Sequence, residues 1–293
     1  MKRAWLISIV LCCGVLSTGM ATSQGAPPEP AKTPYVKDPK FWPMPVMDTR
    51  APVLPPFRHK QAVLIFSKTN GFRDDEQIKA ANITLSERVK RGGRDVYVTE
   101  NAAVFNPAQL AKFDVIALNS ISGNVFLPEQ RAAFKQWLER GGGVVALHGS
   151  GGDHEYDWDW YVKVMLGAQF IGHTSKPNQF QPAIIRVVNR DNPAMTGLPS
   201  QWQRTDEWYA FDRIPTGYHT HILAVLDENS YHPAPEQVMG LHPIIWTRCI
   251  GRGRVFFSAL GHKAETYSEA AHLKMIDGAL DWASQAKQKG CGA

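Results

Sequence analysis

Short apolar runs alternate with amphipathic stretches through the first half of the chain. Residues 62–67 form a continuous apolar run, as in a strand covered on both faces, and 95–99, 114–119 and 143–148 also read as strands. Between them the pattern predicts a helix over 74–91, stopped by Gly92 and Gly93. A short helix follows, with Asn106 as N-cap and Pro107 in its first turn, and another runs from Pro128 to the glycines at 141–143. Strands alternating with helices predict a parallel, doubly wound sheet.

The second half reads differently. Strands are expected at 183–188, 222–226, 244–248 and 254–259, separated by loops instead of helices, with a hairpin turn at 251–253. A helix over about 268–286 closes the pattern. These extra C-terminal strands and loops are expected to lie over the carboxyl edge of the parallel sheet, where open α/β folds place ligands.

The N-terminus carries Lys2 and Arg3, then an apolar run over 4–16, then small and polar residues to Ala26. That order is a secretory signal over 1–26, and its apolar part is shorter than the ~20 residues a bilayer span needs. The mature protein is expected to be exported, periplasmic or secreted, with no transmembrane span. A Pro-rich leader over 27–56, without periodicity, reads as an extended surface segment. The domain is then expected over 57–286, with a tail at 287–293.

Removing Lys2 and Arg3 takes the formal charge from +5 to +3, too mild to argue for nucleic acid. Cys249 and Cys291 alone remain after the signal, so the chain is not a disulfide scaffold, and cysteine-based metal binding or catalysis has little support.

The strongest local chemistry lies at 144–152, where a strand runs into His148-Gly149-Ser150-Gly151-Gly152. The layout is that of a nucleophile elbow, with histidine where Ser or Cys would stand. Imidazole there suits acid/base work or metal binding, and glutamine amidase chemistry is disfavoured. His173, Asp206, Glu207, His242 and His262 each lie at a strand end or in an adjoining loop. His148, His173 and His262, with Glu207 or Asp206, are candidate ligands of a divalent metal, Zn²⁺ first. Their spacing is not a local metal motif, and separate structural roles for these histidines stay open. Aromatic residues beside carboxylates suit a sugar ring. Trp158, Tyr161, Trp208, Tyr209, His242 and Arg73 are the candidate substrate-binding residues, with His148, Glu207 and Asp206 as candidate catalytic groups. Asp227 and Glu228 read as a solvated face.

Taken in order, the segment 66–73, the elbow at His148, Trp160-Tyr161, Gly167 to Phe170, Gly172-His173, Asp206 to Tyr209, His242-Pro243, Trp246, and the run from Gly253 through His262 resemble the motif series of ThuA-like proteins across 61–283. The resemblance implies a flavodoxin-like fold of the class I glutamine amidotransferase type, without the amidase cysteine. It also implies a trehalose-utilisation type of role in carbohydrate metabolism, beside oxidation of sugars to a 3-keto form. Family members often carry histidine after Phe-Arg in the first loop; here Asp74 follows Arg73 and is a candidate replacement as ligand or base.

Two functions are therefore expected to compete: an enzyme acting on an oxidised (3-keto) glycoside or disaccharide, and a non-catalytic carbohydrate-binding protein. A cell-envelope partner would rest on the leader alone. Conventional glycosidase action is disfavoured, because Asp206 and Glu207 are adjacent on a strand and point to opposite faces. In each case the partner is a small carbohydrate, and the sequence does not decide the oligomeric state.

Overall fold

The computed structural model describes residues 37–285 and Cys291; the signal segment, the start of the leader and most of the tail lie outside the described residues. Eleven strands and four α-helices follow in chain order: β1 (Ala62–Phe66), α1 (Asp75–Arg91), β2 (Asp95–Thr99), α2 (Pro107–Leu110), β3 (Val115–Asn119), α3 (Pro128–Glu139), β4 (Gly143–Leu147), β5 (Phe170–His173), β6 (Phe180–Val187), β7 (Gln201–Glu207), β8 (Tyr209–Phe211), β9 (His221–Leu226), β10 (His242–Ile250), β11 (Gly253–Ser258) and α4 (Ala270–Ser284). No described helix is long and apolar enough to cross a membrane.

Nine strands form one sheet in the order β2-β1-β3-β4-β11-β10-β9-β6-β7, and β5 pairs with β8 in a separate ribbon. The five central strands, β1, β3, β4, β11 and β10, are buried at every position. That is why they read as apolar runs instead of alternating ones. From β2 to β11 the pairing is parallel, and from β11 to β7 it is antiparallel. The sheet is thus the expected doubly wound α/β core, but the extra C-terminal strands β11, β10, β9, β6 and β7 extend it sideways by backbone pairing instead of lying over its carboxyl edge.

Helices cover both faces of the parallel half. Gly142 and Gly143 show this directly: a Cβ on Gly142 would meet the Trp137 ring of α3 at 2.5 Å, and one on Gly143 would meet the Ala283 carbonyl of α4 at 2.3 Å. Neighbouring residues entering a strand face opposite sides, so α3 and α4 lie on opposite faces, each too close for any side chain to intervene.

The pairing directions also decide where the chemistry collects. β1, β3, β4 and β11 end on one edge, and alternating antiparallel steps bring the carboxyl end of β7 to the same edge. β7 is four places from β11 in the sheet. The twist of the sheet and the loop after β11 close that gap.

Candidate functional site

His148 directly follows β4 with φ 44°, a left-handed conformation that ordinary residues rarely adopt and that makes the elbow. The glycines after it are needed for approach. A Cβ on Gly152 would stand 2.4 Å from the Tyr209 ring, and one on Gly149 would stand 3.2 Å from Ser120 Cα. The imidazole Nδ1 donates to the Ala259 carbonyl at 2.9 Å, which leaves Nε2 with its lone pair toward the cavity. The Tyr209 hydroxyl donates to that Nε2 at 2.9 Å. Burial, helped by the neighbouring His262, lowers the His148 pKa to about 4, so the ring is neutral near pH 7.

His262 arrives from the loop after β11. Gly261 before it has φ 123° and no room for a side chain, since a Cβ would lie 2.7 Å from the Tyr267 hydroxyl. Asp206 fastens the loop by accepting the Gly261 N–H at 2.9 Å and the His262 N–H at 3.3 Å. Its carboxylate also pairs with Arg204 at 3.1 Å. Glu207, the next residue, turns to the cavity: Oε2 accepts from His262 Nδ1 at 3.0 Å, while Oε1 accepts from Gln179 at 2.5 Å and lies 3.2 Å from His173 Nδ1. Burial alone would raise the Glu207 pKa, but the hydrogen bond from His262 and the charges of the three histidines bring it down to about 2. Burial likewise works against charge on His262, yet Glu207, Asp206 and Asp74 outweigh it and raise its pKa.

His148 Nε2, His262 Nδ1 and Glu207 Oε2 make a triangle with edges of 3.1, 3.0 and 3.7 Å. Three ligands bonded to one cation at about 2.0–2.2 Å stand about 3–3.6 Å apart, so the triangle has the size of a coordination face. The donor set of two imidazoles and a carboxylate, and the Nδ1–H of His148 held by a backbone carbonyl, both suit such an ion. Among the described residues, these three form the group that could hold a metal. His173, expected in this set, is not a member; its Nδ1 is committed to the Thr174 carbonyl at 2.8 Å and to Glu207, leaving Nε2 toward the cavity.

The triangle lies in a cavity of about 260 Å³ that is also lined by Tyr209, His173, Asp74, Gln77, Ser120 and Trp42. Asp74 is the N-cap of α1, accepting two backbone N–H groups through Oδ1, and its Oδ2 is 3.7 Å from His262 Nε2.

Several expected substrate contacts lie elsewhere. Arg73 is held by Glu100, Asp75 and Thr69. Trp158 and Tyr161 pack in an aromatic cluster with Phe126, Phe134 and Trp160, where an apolar segment next to Asp and Glu residues can still bury its rings. Trp208 is buried, with its indole N–H on the Gln181 carbonyl at 2.7 Å. His242 stands behind the site, bonding the Tyr209 carbonyl through Nε2 at 2.7 Å and Glu228 through Nδ1 at 2.8 Å. Glu228 is therefore part of the Tyr209 support, not a solvated charge. Of β7, the sequence implies only the strand position of Asp206 and Glu207; its full extent, the ribbon strands β5 and β8, and the place of Trp42, Phe72, Gln77 and Ser120 in the cavity come from the structure.

A family model described as trehalose utilisation, ThuA, matches residues 62–283. The chain belongs to the ThuA family. Membership supports a role in carbohydrate utilisation. Two solved ThuA-like proteins share the fold: one from Bacteroides uniformis ATCC 8492 at 21% identity, covering 80% of this chain and 95% of its own with a TM-score of 0.65, and one from Parabacteroides merdae ATCC 43184 at 17% identity, covering 78% and 91% with a TM-score of 0.58. A cytoplasmic protein of Salmonella typhimurium LT2 matches at 11% identity over 76% of this chain and 99% of its own, with a TM-score of 0.53. No curated protein matches the chain.

Proposed function

We propose that this ThuA-family protein is an exported enzyme that processes an oxidised (3-keto) glycoside or disaccharide. The observation that carries the proposal is the His148–Glu207–His262 triangle beside the Tyr209 hydroxyl at the wall of one cavity. His148, Glu207 and His262 would hold a divalent cation, Zn²⁺ first, which when bound polarises a ketone oxygen.

A ketone acidifies the neighbouring C–H, so the remaining task is to move one proton. His173 Nε2 is the ring nitrogen left toward the cavity and takes that proton. The electrons of the C–H bond form a C=C bond as the glycosidic C–O bond breaks, and the departing oxygen receives the proton from the imidazolium. Tyr209 supports the site as a neutral donor, because burial pushes its pKa well above the ordinary value. Asp206 takes no part in bond breaking; it is fully buried and occupied by Arg204 and the 261–262 backbone. A two-carboxylate glycosidase mechanism is disfavoured for that reason. Export is supported by the disulfide between Cys249 and Cys291, a bond that persists in oxidising compartments.

The test combines metal content of the purified mature protein with turnover of a 3-keto-glucoside. About one cation per chain, lost in His148→Ala and His262→Ala together with turnover, supports the enzyme. A His173→Ala variant that keeps its metal but loses about 10²–10⁴ in rate assigns the base. Turnover that survives His148→Ala unchanged sinks the assignment, and affinity for saccharides without turnover by any variant favours a carbohydrate-binding protein instead.

A further inference from the structure

One wall of the cavity comes from outside the α/β fold. Trp42 belongs to the Pro-rich leader, yet its side chain lines the same cavity as His148 and Glu207. The leader is fastened around it. The Arg73 N–H donates to the Phe41 carbonyl at 2.8 Å. Asn70 brackets Val46, its Oδ1 accepting the Val46 N–H at 3.0 Å and its Nδ2 donating to the Val46 carbonyl at 3.1 Å. Asp48 accepts Lys68 Nζ at 2.8 Å and the Ala102 N–H at 2.9 Å. Most of these partners sit in the loops after β1 and β2, so the leader is laid along the carboxyl edge of the sheet.

Among the described residues, Trp42 meets Phe72 edge-on at 5.8 Å and carries Lys37 Nζ over its ring at 4.0 Å, and no ring stacks face to face on it. The same cavity is lined by Gln77 and Ser120, 1% and 9% exposed, whose Oε1 and Oγ atoms have no hydrogen-bond partner among the described residues. Gln77 is not free to turn away, because its Nε2 donates to Asn119 Oδ1 at 3.1 Å and to the Tyr267 hydroxyl at 2.7 Å. A buried polar atom left unpaired costs about 1–3 kcal/mol, and a ligand hydroxyl placed there would recover that cost.

We infer that residues 41–48 are a built-in wall of a sugar subsite, with Trp42 as the stacking surface for a pyranose ring and Gln77 Oε1 and Ser120 Oγ as partners of its hydroxyls. An apolar face with a few convergent polar atoms is what a sugar requires. A cavity of about 260 Å³ is at the small end for ligand sites, which fits one sugar ring better than an extended saccharide. The inference rests on the carbohydrate reading of this cavity, but not on the metal or on turnover.

Binding of D-glucose, 3-keto-glucose and trehalose is measured by calorimetry on the full mature chain, alongside metal content and thermal stability. Trp42→Ala is expected to weaken binding of the best of the three about tenfold, while Trp42→Phe retains most of it. Ser120 has φ 50°, a conformation glycine adopts freely, so Ser120→Gly removes the hydroxyl without strain and is expected to weaken binding about fivefold. Metal content stays at the wild-type value in each. Equal affinity in wild type and folded Trp42→Ala overturns the inference. So does a wild-type protein that holds metal but binds none of the three probes, an outcome that leaves the metal site standing. Trp42-dependent sugar binding by a protein without metal supports the inference and removes the cation from the proposed mechanism.

Discussion

Asp206 and Glu207 are adjacent in β7, and their carboxylates serve the same histidine from two sides. Asp206 holds the backbone N–H of His262 at 3.3 Å, and Glu207 holds its Nδ1 at 3.0 Å. One sets where the His262 backbone lies, the other where its ring points. The alternation of side chains along a strand makes this division possible.

The two substitutions should therefore behave differently. Asp206→Ala leaves the buried Arg204 guanidinium with only the half-exposed Glu269 carboxylate at 3.4 Å and the Thr266 hydroxyl, frees the 259–263 loop, and is expected to cost about 3 kcal/mol in urea unfolding. Glu207→Gln keeps the shape and removes the charge. It is expected to leave the fold in place and weaken Zn²⁺ affinity at least about a hundredfold in a chelator competition. Equal metal affinity in Glu207→Gln and wild type would remove Glu207 from the ligand set.

Gly152→Ala addresses the packing of Tyr209 against the elbow. The added methyl would overlap the Tyr209 ring and push the hydroxyl from His148 Nε2. Overpacking of this kind is expected to cost about 1–3 kcal/mol in stability. Turnover, if the proposed function holds, should fall because the displaced Tyr209 ring crowds the cavity beside His148, whereas Gly93→Ala, at an open turn on the far side of α1, should leave it unchanged. A fully active Gly152→Ala would show that the place of the Tyr209 ring does not matter to turnover.

His272 contributes to the pH dependence of stability, in the same direction as the buried His148. His272 is buried in α4, neither ring nitrogen has a partner among the described residues, and burial holds its pKa well below the ordinary value. Below about pH 6.5 the unfolded chain takes a proton that the folded chain refuses, so stability falls with pH by up to about 1.4 kcal/mol per unit. His272→Leu removes this contribution. Thermal midpoints between pH 7 and pH 5 should fall less steeply in the variant, and parallel slopes would mean that His272 is protonated in the folded protein.

The Cys249–Cys291 bond closes a loop of sequence separation 42 and ties the C-terminus to β10. Reduction, or Cys291→Ser, is expected to cost about 3–4 kcal/mol in guanidinium unfolding, with the His148–Glu207–His262 triangle intact. An unchanged midpoint under reducing conditions would count against a stabilising role.

The parallel half of the fold was legible because its strands are buried on both faces and its helices carry caps. Asn106 caps the helix at Pro107, as its position implies, while Asp74, expected as the first residue of the helix, is instead the N-cap of α1. Beyond Asp206 and Glu207, the extent of β7 is illegible for the opposite reason. Its sequence, Gln-Trp-Gln-Arg-Thr-Asp-Glu, is polar, and the buried positions in it include Arg204 and Asp206, which pair with each other instead of with apolar neighbours. A period-2 signal existed, but hydrophobicity did not carry it. Trp42 was hidden in a segment whose composition says only that it is extended.

Local sequence determined the elbow at His148, the glycines around it and the order of the central elements, since turn conformation, capping and burial on two faces act over a few residues. It also put His148, Glu207 and His262 among the candidates. Tertiary structure alone decided that these three face one point, that His173 backs Glu207 instead of joining them, and that the leader supplies a wall. Those outcomes depend on strand direction, sheet order and loop anchoring, which bring together residues as distant in the chain as Trp42, His148 and His262 and leave no trace in local spacing.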